Sequence, residues 1–310
     1  MAGFFIEHFG CRAARADGEA IAGHLRAFAE RQPFAADVVV VNTCSVTAEA
    51  DRAARAFIRR THRRNPAARI VVTGCYAQRA PQELAAMSGV AAVVGNSHKA
   101  FAPEIAFHLA QGANQPATLP PSLVPVASLL SASAPQATPI WADDRFAHSF
   151  LEEAQLAPGV QTRPNLKIQE GCGNRCTFCV IPQTRGPSKS LPHAVVLRRV
   201  DDFVASGGNE LVLSGINLGR WGRDLCSGLG RESLAGPRRE SLSDLIRAIL
   251  TRTALPRLRL SSIEPMDWDD ELIGLLREFG GQHQAGSPSA GPCRWGGRLA
   301  RHAHLPLQSG

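Results

Sequence analysis

The chain has 310 residues, 44% hydrophobic and 20% charged, a balance that excludes wholesale disorder and a coiled coil. No apolar run reaches the roughly 18–20 residues of a membrane span, so no membrane partner is expected. Arg and Lys outnumber Asp and Glu by 34 to 27, with only three Lys; this surplus suits a polyanion such as RNA, and equally a bias of genome base composition.

The first hundred residues alternate strand and helix patterns. Phe4–Phe9 is a short apolar segment ending in Gly10-Cys11. Glu19–Glu30 reads as a helix with apolar Ile21, Leu25 and Phe28. Asp37–Val41 is a β-branched run, as in a strand buried on both faces, and ends in Asn42-Thr43-Cys44. Thr47 is a helix N-cap, and Glu49 and Asp51 suit the positive end of the helix dipole. Ala50, Ala53, Ala54, Phe57 and Ile58 form the apolar face of that helix. Arg52, Arg55, Arg59 and Arg63 line another face, either solvated or in contact with RNA. Ile70–Thr73 is a third strand before Gly74-Cys75, Gln82–Met87 a short helix and Val90–Val94 a fourth strand.

Residues 111–160 interrupt the pattern and read as a Pro/Ala/Ser-rich linker, with Asp143–Leu156 as a helix at its end. A second βα series follows. Strand Leu166–Gln169 runs into Gly171-Cys172, helix Ala194–Ala205 follows, and strand Glu210–Leu213 leads into Ser214-Gly215-Ile216-Asn217. Ser241 or Ser243 caps helix Asp244–Thr251, strand Leu258–Leu260 leads into Ser261-Ser262-Ile263-Glu264, and helix Asp269–Phe279 comes next. Residues 280–297 are a Gly/Pro/Ser-rich interruption, and His304–Leu307 is a last strand-like piece. The fold class is therefore α/β with parallel strands, and four units in the second series are too few for an eight-stranded barrel.

Eight cysteines without a secretory signal point to a reducing compartment, hence the cytoplasm, and to metal or redox chemistry rather than disulfides. Cys172, Cys176 and Cys179 have C-x3-C-x2-C spacing directly after a strand. Three thiolates in one tight loop suit three irons of a [4Fe–4S] cluster, leaving the fourth iron for a small molecule. Structural zinc would ask for a fourth Cys or His nearby, and none follows. Cys11, Cys44 and Cys75 are separated by 33 and 31 residues, one βα unit each, and each follows a strand. Parallel strands would bring them to one sheet edge as a second such site; the alternative is three buried free cysteines. Cys226 and Cys293 have no ligand spacing and read as incidental. Gly215, Asn217, Ser262 and Glu264 follow barrel strands, where such folds place ligands; ordinary turn and capping roles are the alternative. Arg185 either meets an anionic group or is solvated.

The segment IQEGCGNRCTFCVIPQTRGPSKS, with Phe178 before the last cysteine, resembles the radical S-adenosylmethionine enzymes and, within them, the methylthiotransferases. FGC, NTCSVTAEAD and TGCYAQ resemble the N-terminal domain of that family, and VVGN, LSGINLGRWG, RLRLSSIEP and HLPLQSG resemble further family blocks. NTCSVTAEAD, the pairing of GINLGRWG with LSSIEP and the arginine bias resemble most the subfamily acting on N6-threonylcarbamoyladenosine at position 37 of tRNA.

The resemblance implies an N-terminal methylthiotransferase domain over 1–110, the linker over 111–160 and an incomplete radical S-adenosylmethionine domain, a partial (βα) barrel, over 161–310. It implies two [4Fe–4S] clusters as cofactors, one on Cys11, Cys44 and Cys75 and one on Cys172, Cys176 and Cys179. It also implies S-adenosylmethionine, with Gly215, Asn217, Ser262 and Glu264 around it, and no protein group as the catalytic residue. The implied partners are tRNA, an electron donor protein and a sulfur source. Sister enzymes acting on isopentenyladenosine in tRNA or on a ribosomal-protein aspartate share the six cysteines, and an inactive remnant that only binds clusters or RNA is a third alternative. RAAR at Arg12–Arg15 and Gly173 depart from the family pattern. The family continues beyond HLPLQSG into the rest of the barrel and a small RNA-binding β-domain, so a C-terminally truncated chain is expected.

Overall fold

The computed structural model describes residues 3–26, 28–45, 47–111, 138–149, 163–174, 176–225, 240–281, 297–302 and 304–306. The chain divides into two compact units, Met1–Ala154 with Gly173–Pro187, and Gln155–Cys172 with Ser188–Gly310.

The first unit is a parallel sheet. Its strands are β1 (Gly3–His8), β2 (Ala29–Glu30), β3 (Val38–Thr43), β4 (Arg69–Gly74), β5 (Val90–Gly95) and β6 (Ile140–Trp141), in spatial order β2-β1-β3-β4-β5-β6. Its helices are α1 (Arg12–His24), α2 (Ala48–Arg64), the short α3 (Cys75–Arg79) and α4 (Pro81–Ala85), and α5 (Ala102–Ala110). Val38–Val41 is fully buried because alternate residues feed two cores. Val38 and Val40 pack with Ile21 and Leu25 of α1 and Ile105 of α5. Val39 and Val41 pack with Phe57 and Ile58 of α2 and Leu84 of α4. Each buried valine contributes about 1.5–3 kcal/mol of transfer free energy. The run that marks β3 in the sequence is thus a strand covered by helices on both faces.

Several local expectations need correction. The first helix spans Arg12–His24 rather than Glu19–Glu30. The RAARA stretch at 12–16 has high helical propensity, and Ala29–Glu30 pairs with β1 instead. Part of the expected linker is a strand: Ile140 and Trp141 pair with Val93 and Val94 of β5. Residues 112–137 of that linker lie outside the described residues. Over 143–149 the expected helix is absent. Phe146 has φ 52°, incompatible with helix, and His148 instead exchanges backbone hydrogen bonds with Ser97 and Ala100.

The second unit has β7 (Asn165–Glu170), β8 (Lys189–Ser190), β9 (Glu210–Gly215) and β10 (Arg257–Leu260) in spatial order β10-β9-β7-β8, with only β8 antiparallel. Its long helices are α7 (His193–Ala205), α8 (Leu242–Arg252) and α9 (Asp270–Phe279); the short α6 (Ile181–Arg185) belongs to the first unit. Leu166, Ile168, Leu211, Leu213, Leu258 and Leu260 form one apolar core with Val200 and Phe203 of α7, Ile246 and Ile249 of α8, and Leu275 of α9. Between these residues, at the alternate positions of the strands, stand buried Lys167, Gln169 and Ser214. One apolar and one polar face is the wall of a βα barrel. Both expected caps form: Thr47 Oγ1 accepts from Ala50 N, and Ser241 makes a capping box with Asp244. Among 304–306 no strand is found; Leu299 instead bridges Leu258, and His304 O accepts from Ile263 N.

Candidate metal centres

Adjacent strands β1, β3 and β4 end together. His8 pairs with Asn42, and Thr43 pairs with Gly74, so Cys44 and Cys75 leave the sheet from paired neighbours. Gly10 and Gly74 make this approach possible. At Gly10, φ +112°, a Cβ would lie 2.2 Å from Cys44 Cβ and 2.5 Å from its sulfur. At Gly74, φ +98°, it would lie 2.2 Å from Thr43 O.

Cys11 is exposed, while Cys44 and Cys75 are buried. Cys11 is the N-cap residue of α1. The Cys44 hydrogen bond lowers the Cys11 thiol to about 5, aided by the Arg185 charge and the Ala14 and Ala13 amides and opposed by the desolvation of the sulfur itself, although the residue as a whole is exposed. Cys75 accepts from Asn96 Nδ2 at 3.4 Å, and the same nitrogen reaches Thr184 O at 2.8 Å.

Arg185, one residue on, is buried, which rules out the solvated reading. Its Nη1 lies 3.2 Å from Asp17 Oδ2, which Lys99 Nζ also reaches at 3.1 Å. The sequence gives no short-range sign of Asn96, Asp17 or Lys99 here, because each arrives from a different βα unit.

In the second unit Cys172 follows β7 directly. Asn217 Nδ2 lies 3.6 Å from its sulfur, and Asn217 N donates to Gln169 Oε1 at 2.7 Å. Gly215 packs on the same glutamine, where a Cβ would lie 2.8 Å from Gln169 Cβ. Gly215 and Asn217 are therefore gathered with Cys172 around one β7 side chain. Ser262 instead pairs with His304, and Glu264 precedes a short turn over Pro265–Asp267 without a side-chain capping bond. Lys167 and Glu170, both fully buried, form a 2.8 Å ion pair on β7 that periodicity alone does not reveal.

In the first unit, Cys179 N donates to Cys176 O at 3.1 Å, and Phe178 is 71% exposed between them. Cys226 and Cys293 lie outside the described residues. Of the arginine stripe, Arg52 pairs with Glu49 and Arg55 with Tyr76 and Glu83, while Arg59 and Arg63 are exposed.

Among the described residues, no three His, Cys, Asp or Glu side chains close on a point as ligands of one metal ion do. A four-iron cluster asks for cysteines spread around a larger body. The chemistry fits that body: soft thiolates at strand ends, an amide donor on Cys75 and another on Cys172. Asn96 Oδ1 and Asn217 Oδ1 are both buried and have no hydrogen-bond partner among the described residues, so each asparagine retains an unmet polar group beside a cysteine.

Residues 3–95 match the uncharacterized protein family UPF0004. The chain is 31% identical over 321 residues to the threonylcarbamoyladenosine tRNA methylthiotransferase MtaB of Bacillus subtilis, covering 100% of the chain and 58% of the relative. It is 32% identical over 275 residues to MtaB of Aquifex aeolicus, covering 89% and 54%. It is 27% identical over 316 residues to the tRNA-2-methylthio-N(6)-dimethylallyladenosine synthase of Syntrophotalea carbinolica, covering 100% and 61%. The chain thus spans 54–61% of the length of these curated relatives. Its fold is similar to that of the radical S-adenosylmethionine methyltransferase TsrM of Kitasatospora setae, with TM-score 0.50, 16% identity and coverage of 89% of this chain and 57% of that one. The family resemblance read from the motifs and the α/β fold class are both borne out.

Proposed function

We propose that this chain, which belongs with the radical S-adenosylmethionine methylthiotransferases, is part of an enzyme that adds a methylthio group to C2 of N6-threonylcarbamoyladenosine at position 37 of tRNA. The observation that carries the reading is the placement of Cys11, Cys44 and Cys75 at the ends of three adjacent parallel strands, with Cys172 opening a separate cysteine loop after β7. We assign Cys11, Cys44 and Cys75 to one [4Fe–4S] cluster and Cys172, Cys176 and Cys179 to another. The C2–H bond of adenine is not acidic, so a positioned base cannot activate it, and the hard step falls to cofactors. When bound, the cluster on Cys172, Cys176 and Cys179 supplies the electron for cleaving S-adenosylmethionine, and the other supplies the sulfur to be transferred.

The chain's own residues then orient and exclude. Gln169 fixes the β9 loop through the Asn217 amide, so that Gly215 and Asn217 line the S-adenosylmethionine site beside Cys172. Ser262 and Glu264 extend that site from the next strand. Exposed Arg59 and Arg63 meet the tRNA backbone, a contact that weakens with salt. We keep 1–110 and 161–310 as the two functional parts on either side of the 111–160 linker, with Ile140–Trp141 of that linker joined to the first sheet and Gly173–Pro187 to the first compact unit. An electron donor protein, a sulfur source and a cytoplasmic setting complete the reading.

The test is anaerobic. The reconstituted chain is incubated with S-adenosylmethionine, reductant, sulfide and tRNA carrying either threonylcarbamoyl- or isopentenyladenosine, and nucleosides are read by mass spectrometry. A gain of a methylthio group on the threonylcarbamoyl substrate alone is expected. Product on isopentenyladenosine or on a ribosomal protein overturns the substrate, and absence of deoxyadenosine marks an inert remnant. Cys176→Ala abolishes deoxyadenosine formation, whereas Cys44→Ala spares cleavage and stops sulfur insertion.

A further inference from the structure

One arrangement of four residues occurs twice, once in each compact unit. Cys75 is the first residue after β4, and Asn96 is the first after β5, its parallel neighbour. Cys172 is the second residue after β7, and Asn217 is the second after β9, again its parallel neighbour. In both places the asparagine Nδ2 reaches the cysteine sulfur, at 3.4 Å for Cys75 and 3.6 Å for Cys172. In both, a glutamine on the cysteine-bearing segment clamps the loop that carries the asparagine. Gln78 Oε1 accepts from Ser97 N at 2.9 Å, and Gln169 Oε1 accepts from Asn217 N at 2.7 Å. Each glutamine packs on the glycine that ends the neighbouring strand, Gly95 or Gly215, where a Cβ would overlap it. Each is fixed in turn: Gln78 Nε2 donates to Asp143 O at 2.7 Å, and Gln169 Nε2 donates to Gly171 O at 2.8 Å.

A neutral thiol is a weak acceptor, whereas a hydrogen bond to an ionised group is roughly twice as strong as one between neutral groups. Both asparagines nevertheless turn their amide nitrogen towards sulfur, while their own Oδ1 atoms are buried and lack a partner among the described residues. A buried carbonyl oxygen without a donor is costly, and an amide free to turn would satisfy it first. At Asn96 the Thr184 carbonyl, 2.8 Å from Nδ2, shares in fixing the amide. At Asn217 the Cys172 sulfur is the one partner of that nitrogen among the described residues. An orientation held by sulfur at the expense of the oxygen fits a sulfur that carries charge, as cluster-bound thiolates do.

We propose that Asn96 and Asn217 are positioning residues, one for each cysteine centre, that donate an amide N–H to the cluster-bound sulfur of Cys75 and of Cys172, with Gln78 and Gln169 holding them on target. The inference rests on the cluster assignment made above and adds a donor and its clamp to each centre. Groups that orient metal ligands in this way typically change metal affinity by about 10–100-fold when removed.

The experiment uses two parents, each the full chain with one cysteine set replaced by Ala, so that a single cluster is loaded. After anaerobic reconstitution and iron counting, each chain is exchanged into heavy water, reduced with dithionite and read by electron–nuclear double resonance for deuterons coupled to the cluster. Asn96→Leu in the chain that keeps Cys75, and Asn217→Leu in the chain that keeps Cys172, are each expected to lose one coupled deuteron. Each cluster is also expected to give up its iron to about tenfold less chelator. Among the described residues Gln78 and Gln169 make no hydrogen bond to sulfur, yet Gln78→Leu and Gln169→Leu are expected to weaken the same coupling. Gln78→Glu keeps the acceptor for Ser97 N and is expected to keep the deuteron. Because Leu removes a buried oxygen without a partner, metal-free Asn217→Leu is expected to unfold at no lower urea than its parent.

A coupled deuteron that survives its asparagine substitution in a loaded chain, at either centre, overturns this inference alone. Loss of iron with a lower urea midpoint in metal-free Asn217→Leu, and an unchanged deuteron in the chains that stay loaded, makes the asparagines merely structural and also overturns it. If an asparagine variant takes up no iron, Gln78→Leu against Gln78→Glu decides: a weakened coupling in the first alone upholds the inference, and equal coupling in the two overturns it. Iron-free parents overturn the cluster assignment and this inference with it.

Discussion

Gly10→Ala is the sharpest probe of the cysteine edge of the first sheet. Gly10 has φ +112°, where an L side chain costs about 1–3 kcal/mol. The new methyl would also lie 2.2 Å from Cys44 Cβ, and overpacking of that kind costs about 1–3 kcal/mol more. The sum, about 2–6 kcal/mol, is a large fraction of the 5–15 kcal/mol typical of a domain. Part of it is relieved by pushing Cys44 away from Cys11, which would separate two of the three thiols. Gly173→Ala is the control in the other cysteine loop, because nothing lies within 4 Å of its added Cβ. The assay is urea denaturation of the metal-free chains by circular dichroism, followed by iron counting after reconstitution. Gly10→Ala should unfold at markedly lower urea and lose about half its iron by the four-iron stoichiometry, while Gly173→Ala stays within about 0.5 kcal/mol of the parent. Equal stability and equal iron in the two variants would refute the claim that Gly10 creates the space in which Cys11 and Cys44 meet.

Two further outcomes follow from the geometry. In the metal-free chain Cys11, lowered to about 5, is a thiolate at neutral pH, so its alkylation rate should hold from pH 8 to about 6 and halve near pH 5. The sign extends to stability: a depressed thiol favours the folded state above its unfolded value of 9.0 and gives up that contribution as pH falls towards 5. A Cys11 rate that drops tenfold per unit from pH 8 would contradict both. Ser241→Ala removes the capping box of α8 and should cost about 1 kcal/mol, read as a lower urea midpoint with unchanged iron content.

What the sequence made legible follows the range of the interactions involved. β3 and β4 are visible because a strand buried on both faces needs an unbroken apolar run, and Val38–Val41 provides one. Thr47 and Ser241 are visible because capping is decided within four residues. The start of α1 at Arg12 is misplaced because its buried side is alanine, whose helical preference shows no apolar stripe. Two-residue β6 is hidden because its strand character comes from its partner β5 and not from its own residues. At the site, the cysteines announce themselves by spacing, but Asn96, Asp17, Lys99 and Arg185 do not. Arg185 meets Asp17 across 168 positions of chain, a separation at which no local pattern survives. The ends of β1, β3 and β4 are what bring such distant groups to one place.

The central claim is that the chain carries two independent three-cysteine centres. Anaerobic reconstitution with iron and sulfide, followed by iron counting, tests it most directly. The unaltered chain should hold about eight irons, and replacement of either set, Cys11 with Cys44 and Cys75 or Cys172 with Cys176 and Cys179, should leave about four. About four irons in the unaltered chain, or full iron after either triple replacement, would contradict it.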